Sequence, residues 1–187
     1  MEKNLKHTAE LARNAGVKLR PHCKTHKSIW IAKKQLEYGA AGITVAKLSE
    51  AEVMVNGGID DILVAYPIVG EKKLKRLEKL IKRASIIVCT DSVEVSQGLS
   101  DLGVSMGRKI KTYVQVNSGL QRCGREPGEE TVELVKSIIG LPGIEIIGLI
   151  THAGFSYDYV GEDSIRAAAH KEADALLTTQ KMLEKEG

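Results

Sequence analysis

Regular alternation of helical and β-branched segments is the feature that most constrains the fold of this chain. Asn4 to Ala15 reads as an amphipathic helix, with Leu5, Thr8, Ala9 and Ala12 at helical spacing, and Gly16 closes it. Val17 to Arg20 follows as a strand that runs on towards Lys24. Ser28 to Tyr38 is helical and ends on Gly39, and Ala41 to Ala46 is the next strand. Ser49 to Val55 opens a helix with a serine N-cap and early acidic residues, and Gly57 and Gly58 end it. The cycle then repeats: strand Asp61 to Ala65, helix Glu71 to Arg83, strand Ser85 to Cys89, helix Ser92 to Leu102. Strand Lys111 to Val116, helix Glu129 to Ile139, strand Gly143 to Ile150 and a long helix from Ser164 to Lys185 complete it.

Such alternation implies parallel strands joined by right-handed crossovers. About six strands recur at intervals of roughly 20 to 30 residues, as in an array of βα units. A doubly wound open sheet and a (β/α)8 barrel both satisfy the pattern. The open sheet usually carries GxGxxG or a P-loop after its first strand, and neither motif occurs here. The 187 residues fall short of the ~250 of a complete barrel. The expected fold is therefore α/β, a partial (β/α)8 TIM barrel of about six βα units without its last strands. No linker or low-complexity stretch divides residues 1–187, so a single incomplete barrel domain is expected.

Composition removes several function classes. With 43% hydrophobic and 27% charged residues, wholesale disorder is not expected. No window approaches ~18 consecutive apolar residues, so no membrane span is expected, and the polar start at Met1 to His7 does not read as a signal peptide. Cys23, Cys89 and Cys123 are dispersed and form no CxxC pair, which fits a reducing cytoplasm better than a disulfide or zinc framework. The 27 basic residues are interspersed with 24 acidic ones and aromatics make up only 4%, so no nucleic-acid partner is expected.

In both architectures ligands sit at the carboxyl ends of the strands. Four polar segments stand there: Arg20 to Lys27, Lys47 to Glu50, Asn117 to Gly124 and Thr151 to Tyr157. In the first, His22 and His26 have the spacing of a helical metal pair, but Cys23 stands where HExxH needs its glutamate. In an extended strand, His22, Lys24 and His26 share one face instead. The segment reads in three ways: a metal site, a solvated basic strand end, or a setting for Lys24 as a buried amine. A desolvated lysine beside other cations has a lowered pKa and can form a Schiff base. Strand alternation turns Cys23 to the opposite face from Lys24, as a packing residue.

Leu19-Arg20-Pro21-His22-Cys23-Lys24-Thr25-His26-Lys27-Ser28 resembles the signature of the D-threonine aldolase and D-serine dehydratase family. These are fold-type III pyridoxal-phosphate enzymes, related to the N-terminal barrel domain of alanine racemase. Gly42 to Glu52, Asn117 to Gly124 and Thr151 to Tyr157 agree with the same family, in the family order. The resemblance implies that Lys24 holds pyridoxal 5'-phosphate as a Schiff base. It places Arg122 near the pyridoxal ring, packs His152 against that ring and makes Tyr157 a cofactor contact. Phe155 and Ile150 depart from the pattern of the dehydratase branch.

What the resemblance implies about activity is cleavage of β-hydroxy-D-amino acids by a pyridoxal-phosphate-dependent lyase, a retro-aldol reaction in the aldolase branch. The cofactor acts as an electron sink for charge developing at Cα. D-serine dehydratase, an amino-acid racemase of the same fold and a non-enzymatic pyridoxal-phosphate homeostasis barrel are the alternatives. A divalent metal (Mn, Mg or Zn) on the β-hydroxyl is implied only for the full-length protein, held by a His-x-Cys or His-x-Asp pair in a C-terminal β-domain. A D-amino acid substrate and a homodimer are implied on the same footing. The phosphate-binding loops after strands 7 and 8 lie outside these residues. The chain alone is therefore expected to bind the cofactor poorly and to show little lyase activity.

Overall fold

Short β-branched runs and capped helices set the elements of this chain. The computed structural model describes residues 1–186, with seven α-helices and five strands among them: α1 (Glu2–Asn14), α2 (Ile29–Glu37), β1 (Ile43–Val45), α3 (Leu48–Asn56), β2 (Asp61–Pro67), α4 (Glu71–Ile81), β3 (Ser85–Thr90), α5 (Val93–Ser105), β4 (Ile110–Gln115), α6 (Glu129–Ile138), β5 (Ile144–Ile150) and α7 (Glu162–Glu186). A 3-10 turn, Gly154–Asp158, lies between β5 and α7. The sheet order is β1-β2-β3-β4-β5, the order of the chain. A doubly wound sheet reverses its order at a switch point. No reversal occurs here, so of the two architectures compatible with the sequence the fold is the partial (β/α)8 barrel.

The chain forms two compact units, Met1–Tyr66 with Gly70–Val88, and Pro67–Val69 with the chain from Cys89 onward. In the first unit β1 pairs in parallel with β2, Ile43 opposite Ile62 and Val45 opposite Val64. Those four side chains are at most 1% exposed and form the core with Met54, Leu77 and Leu80. The expected strand from Val17 towards Lys24 is reduced to one parallel bridge, His22 opposite Thr44. Pro21 has no N–H to give to a ladder, so only alternate groups bond there: Thr44 N donates to the Pro21 carbonyl and Cys23 N to the Thr44 carbonyl. Ser28 caps α2 by accepting from Ile31 N. The serine cap expected at Ser49 is not formed, because α3 already begins at Leu48. Glu50, in the first turn of α3, reaches back to the chain before the helix, its carboxylate accepting from Ala46 N at 2.8 Å.

In the second unit β4 pairs in parallel with β5 from Ile110 opposite Ile144 to Gln115 opposite Ile150, with a bulge after Thr112. α5 packs closely on the turn into β5. A Cβ on Gly103 would collide with the Gly143 carbonyl oxygen, and one on Gly143 with that of Ser100. Ile110, Val114, Ile138, Ile144 and Leu99 fill the core. α7 turns Ala168, Ala175 and Thr179 inward, at helical spacing. No described helix is long and apolar enough to cross a membrane.

Candidate functional site

Lys24 lies in the first unit; Arg122, His152 and Tyr157 lie in the second. Around Lys24 the chain leaves the bridge at His22 and turns, with Lys27 N donating to the Cys23 carbonyl and Lys27 at φ 48°. His22 Nδ1 accepts from Lys24 N at 3.2 Å and His26 Nδ1 from Ser28 N at 3.0 Å. Each imidazole thus fixes the backbone two residues further on, and the two Nδ1 atoms are committed to the turn. Among the described residues no group of three or more His, Cys, Asp or Glu side chains could hold a metal ion. Lys24 is half-buried, between the solvated strand end and the buried amine among the readings of its segment. Cys23 beside it is buried, and burial first, with Glu50 nearby, pushes its thiol pKa up to about 11. Its Sγ sits 3.8 Å from Gln35 Oε1, in keeping with a packing residue.

Arg122 stands on a loop built by one buried side chain. Asn117 Oδ1 accepts from Gly119 N and Gln121 N, and its Nδ2 donates to Glu126 Oε1 at 2.6 Å. The loop returns to β4 at Gly124, whose φ of 97° and close approach to the Asn117 amide leave no room for a Cβ. Asp91, just beyond β3, ties down the same stretch, accepting from Gly124 N with its carboxylate and from Arg125 Nε with its carbonyl. Arg122 itself is exposed at the tip. It lines one cleft with Gln115, Asn117, Ser118, Cys123 and His152.

The segment after β5 is tied to this loop. Thr151 Oγ1 donates to the Val116 carbonyl at 2.8 Å and lies 2.8 Å from the Ser118 hydroxyl. His152 and Tyr157 meet edge to face with ring centroids 6.3 Å apart. Tyr157 is 78% exposed. The structure therefore brings Arg122 and His152 to one cleft and Tyr157 to the edge of His152. Sequence reasoning missed Gln115. It is 4% exposed, and its Oε1 has no hydrogen-bond partner among the described residues. The only signal was its place as the last polar residue of a strand.

Residues 1–187 match the family described as alanine racemase, N-terminal domain. The chain belongs to the alanine racemase N-terminal domain family. Within it, the chain is 37% identical to the D-threonine aldolase of an Arthrobacter species over 158 residues, which are 84% of this chain and 42% of that protein. It is 30% identical to the D-threo-3-hydroxyaspartate dehydratase of Delftia sp. (strain HT23), over 92% of this chain and 46% of that protein. The solved D-threonine aldolase from Filomicrobium marinum superposes with a TM-score of 0.95 at 36% identity, over all of this chain and 50% of that one. The chain thus spans less than half the length of these two curated relatives. Both are enzymes, and pyridoxal phosphate is the cofactor that membership of this family implies.

The chemistry of the residues suits such a group: Arg122 supplies a cation, His152 an imidazole and Gln115 an unpartnered acceptor oxygen. The cleft they share is narrow, about 10 Å³, so it can take up a polar edge of the group and does not enclose it whole. A buried acceptor left without a donor costs about 1–3 kcal/mol, which a bound polar group offsets.

Proposed function

We propose that the protein carrying this chain is a pyridoxal-phosphate-dependent lyase that cleaves β-hydroxy-D-amino acids by retro-aldol chemistry. The observation that carries the reading is Lys24: a half-buried amine held by a bridged, histidine-pinned turn at a strand end, inside the segment Arg20 to Ser28. When bound, the cofactor supplies an electron sink for charge developing at the substrate Cα. Lys24 would attach it through the amine, and the turn at His22 and His26 limits the positions that amine can reach. Arg122 would place a cation against the ring, and His152 would pack on it, steadied by the edge of Tyr157. Gln115 would accept from a donor group brought into the cleft.

The aldolase reading is preferred to the dehydratase because the aldolase is the more similar of the two relatives, and because Phe155 and Ile150 depart from the dehydratase pattern. A divalent metal acting on the substrate β-hydroxyl belongs to the proposal for the full-length protein, with its ligands outside the described residues, which offer no such group. A D-amino acid substrate, a homodimer, and no nucleic-acid or membrane partner complete the proposal. A cytoplasmic location belongs to it as well, supported by three free cysteines.

The test is product analysis with the intact protein. Retro-aldol cleavage turns D-threonine into glycine and acetaldehyde, and Lys24→Ala should abolish both. A keto acid and ammonia in their place would assign the dehydratase, and the L-enantiomer alone a racemase.

A further inference from the structure

Two neighbouring side chains on α7 reach in different directions towards the two loops that carry Arg122, His152 and Tyr157. Consecutive residues on a helix diverge by about 100°, so Lys171 and Glu172 do not compete for one partner. Glu172 Oε1 accepts from Ala153 N at 3.1 Å, on the residue that follows His152. Lys171 Nζ lies 4.8 Å from the centroid of the Phe155 ring, two residues further on. The same ammonium lies beside the loop after β4: a Cβ built on Gly119 would stand 3.0 Å from Lys171 Nζ and 3.6 Å from Phe155 Cδ1. Gly119, at φ 127°, has a backbone that L side chains rarely adopt, so the turn itself calls for glycine there, and Lys171 Nζ lies beside it.

The helix that carries the pair is itself fixed. Ala168, Ala175 and Thr179 are its buried residues, and Lys171 and Glu172 flank that stripe on its two sides. Thr179 Oγ1 accepts from Gly128 N at 2.8 Å and donates to the Ala175 carbonyl, locking α7 to the start of α6. The helix thus holds a carboxylate on the loop after β5, and a cation over Phe155 of that loop and beside Gly119 of the loop after β4.

We propose that Lys171 and Glu172 are positioning residues: together they bracket the loop after β4 and the loop after β5, and so set the placement of Arg122 and His152 at their common cleft. As a statement about the cofactor site this rests on the proposed function; as a statement about the loops it does not. Glu172 acts through a hydrogen bond to backbone, so an amide at that position should serve nearly as well as a carboxylate. Lys171 acts through its charge over a ring and its reach to Gly119, so an apolar side chain of equal length should not.

The experiment compares Glu172→Ala, Glu172→Gln and Lys171→Met in the intact protein by amide hydrogen exchange, pyridoxal phosphate titration and thermal melting. Glu172→Ala should raise exchange at the Ala153 amide roughly tenfold or more, the loss of one charge-assisted bond. It should also weaken pyridoxal phosphate binding several-fold, with little change in Tm. Glu172→Gln should restore both, and Lys171→Met should raise exchange across residues 117–124. Unchanged exchange at Ala153 in Glu172→Ala, or a Gln variant as impaired as the Ala variant, would overturn the proposal. So would loosened loops with unaltered cofactor affinity. If the unaltered protein binds no pyridoxal phosphate, the cofactor reading fails separately, and exchange then decides for or against the bracket: unchanged exchange at Ala153 in Glu172→Ala, or across residues 117–124 in Lys171→Met, overturns it.

Discussion

His152 and Tyr157 meet edge to face, with ring centroids 6.3 Å apart and planes inclined by 65°. The pair joins a half-buried imidazole, which lines the cleft of Arg122, to a phenol that is 78% exposed. Tyr157 adds little to the core, so whatever it contributes should appear in ligand binding and not in folding.

Tyr157→Ala is expected to change stability by less than about 0.5 kcal/mol, as exposed substitutions generally do. The same variant should weaken pyridoxal phosphate binding several-fold, while Tyr157→Phe, which keeps the ring edge against His152, should lose less. Thermal melting and a fluorescence titration with the cofactor separate the two effects. A large fall in Tm for Tyr157→Ala would show that the ring serves the fold.

Asn117 is the residue on which the Arg122 loop depends. It is 6% exposed and makes three side-chain hydrogen bonds, two as acceptor and one as donor. Asn117→Ala should cost about 2–3 kcal/mol, at roughly 1 kcal/mol per bond, measured by chemical denaturation. Exchange at the Gly119 and Gln121 amides should rise in parallel. A cost confined to a few tenths of a kcal/mol would mean that the turn is held by its backbone alone.

Two buried thiols make stability fall in alkali. Burial pushes Cys23 up to about 11 and Cys89 up to about 12 from an ordinary 9.0, with Glu50 adding to the first and Cys123 and Asp91 to the second. Above about pH 9 the unfolded chain releases these protons while the folded chain keeps them. The unfolded state then binds fewer protons, and stability declines with rising pH, by at most about 1.4 kcal/mol per pH unit for each thiol. The contribution of Cys23 is complete below pH 9 and is lost towards pH 11. Cys23→Ala should therefore show a shallower loss of stability than the unaltered protein between about pH 9 and 11. Equal slopes would show that Cys23 ionises as freely in the folded chain as in the unfolded one.

Much of the fold was legible because its signals are local. β-branched runs, closing glycines and helical spacing all act within one turn or one strand, and the helices read from Ser28 and Ser92 do start on those residues as caps. The errors came where a neighbour changed the outcome. Pro21 reduces the expected first strand to a bridge at His22, and the start of α3 at Leu48 puts Ser49 inside the helix and not at its cap. For the candidate site, the motifs led to Lys24, Arg122, His152 and Tyr157, but not to the groups that hold their loops. Glu172 bonds to a backbone amide 19 residues away, and Asp91 to one 33 residues away. No local pattern records such pairs, since helix and strand periodicities say which face a residue takes and not which loop comes to meet it. The orphaned oxygen of Gln115 was hidden for the same reason. Its residue reads as the polar end of a strand until Arg122 and His152 are seen on the same cleft.

The central claim is that the Lys24 amine, on its histidine-pinned turn, is the point of attachment for pyridoxal phosphate. The direct measurement is to add the cofactor to the intact protein, reduce with borohydride, digest it, and find the modified residue by mass spectrometry, with the absorbance spectrum recorded beforehand. The account predicts one pyridoxyl group on Lys24, and a visible absorbance band that Lys24→Ala abolishes. Modification spread over several surface lysines, or a band that survives in Lys24→Ala, would contradict it.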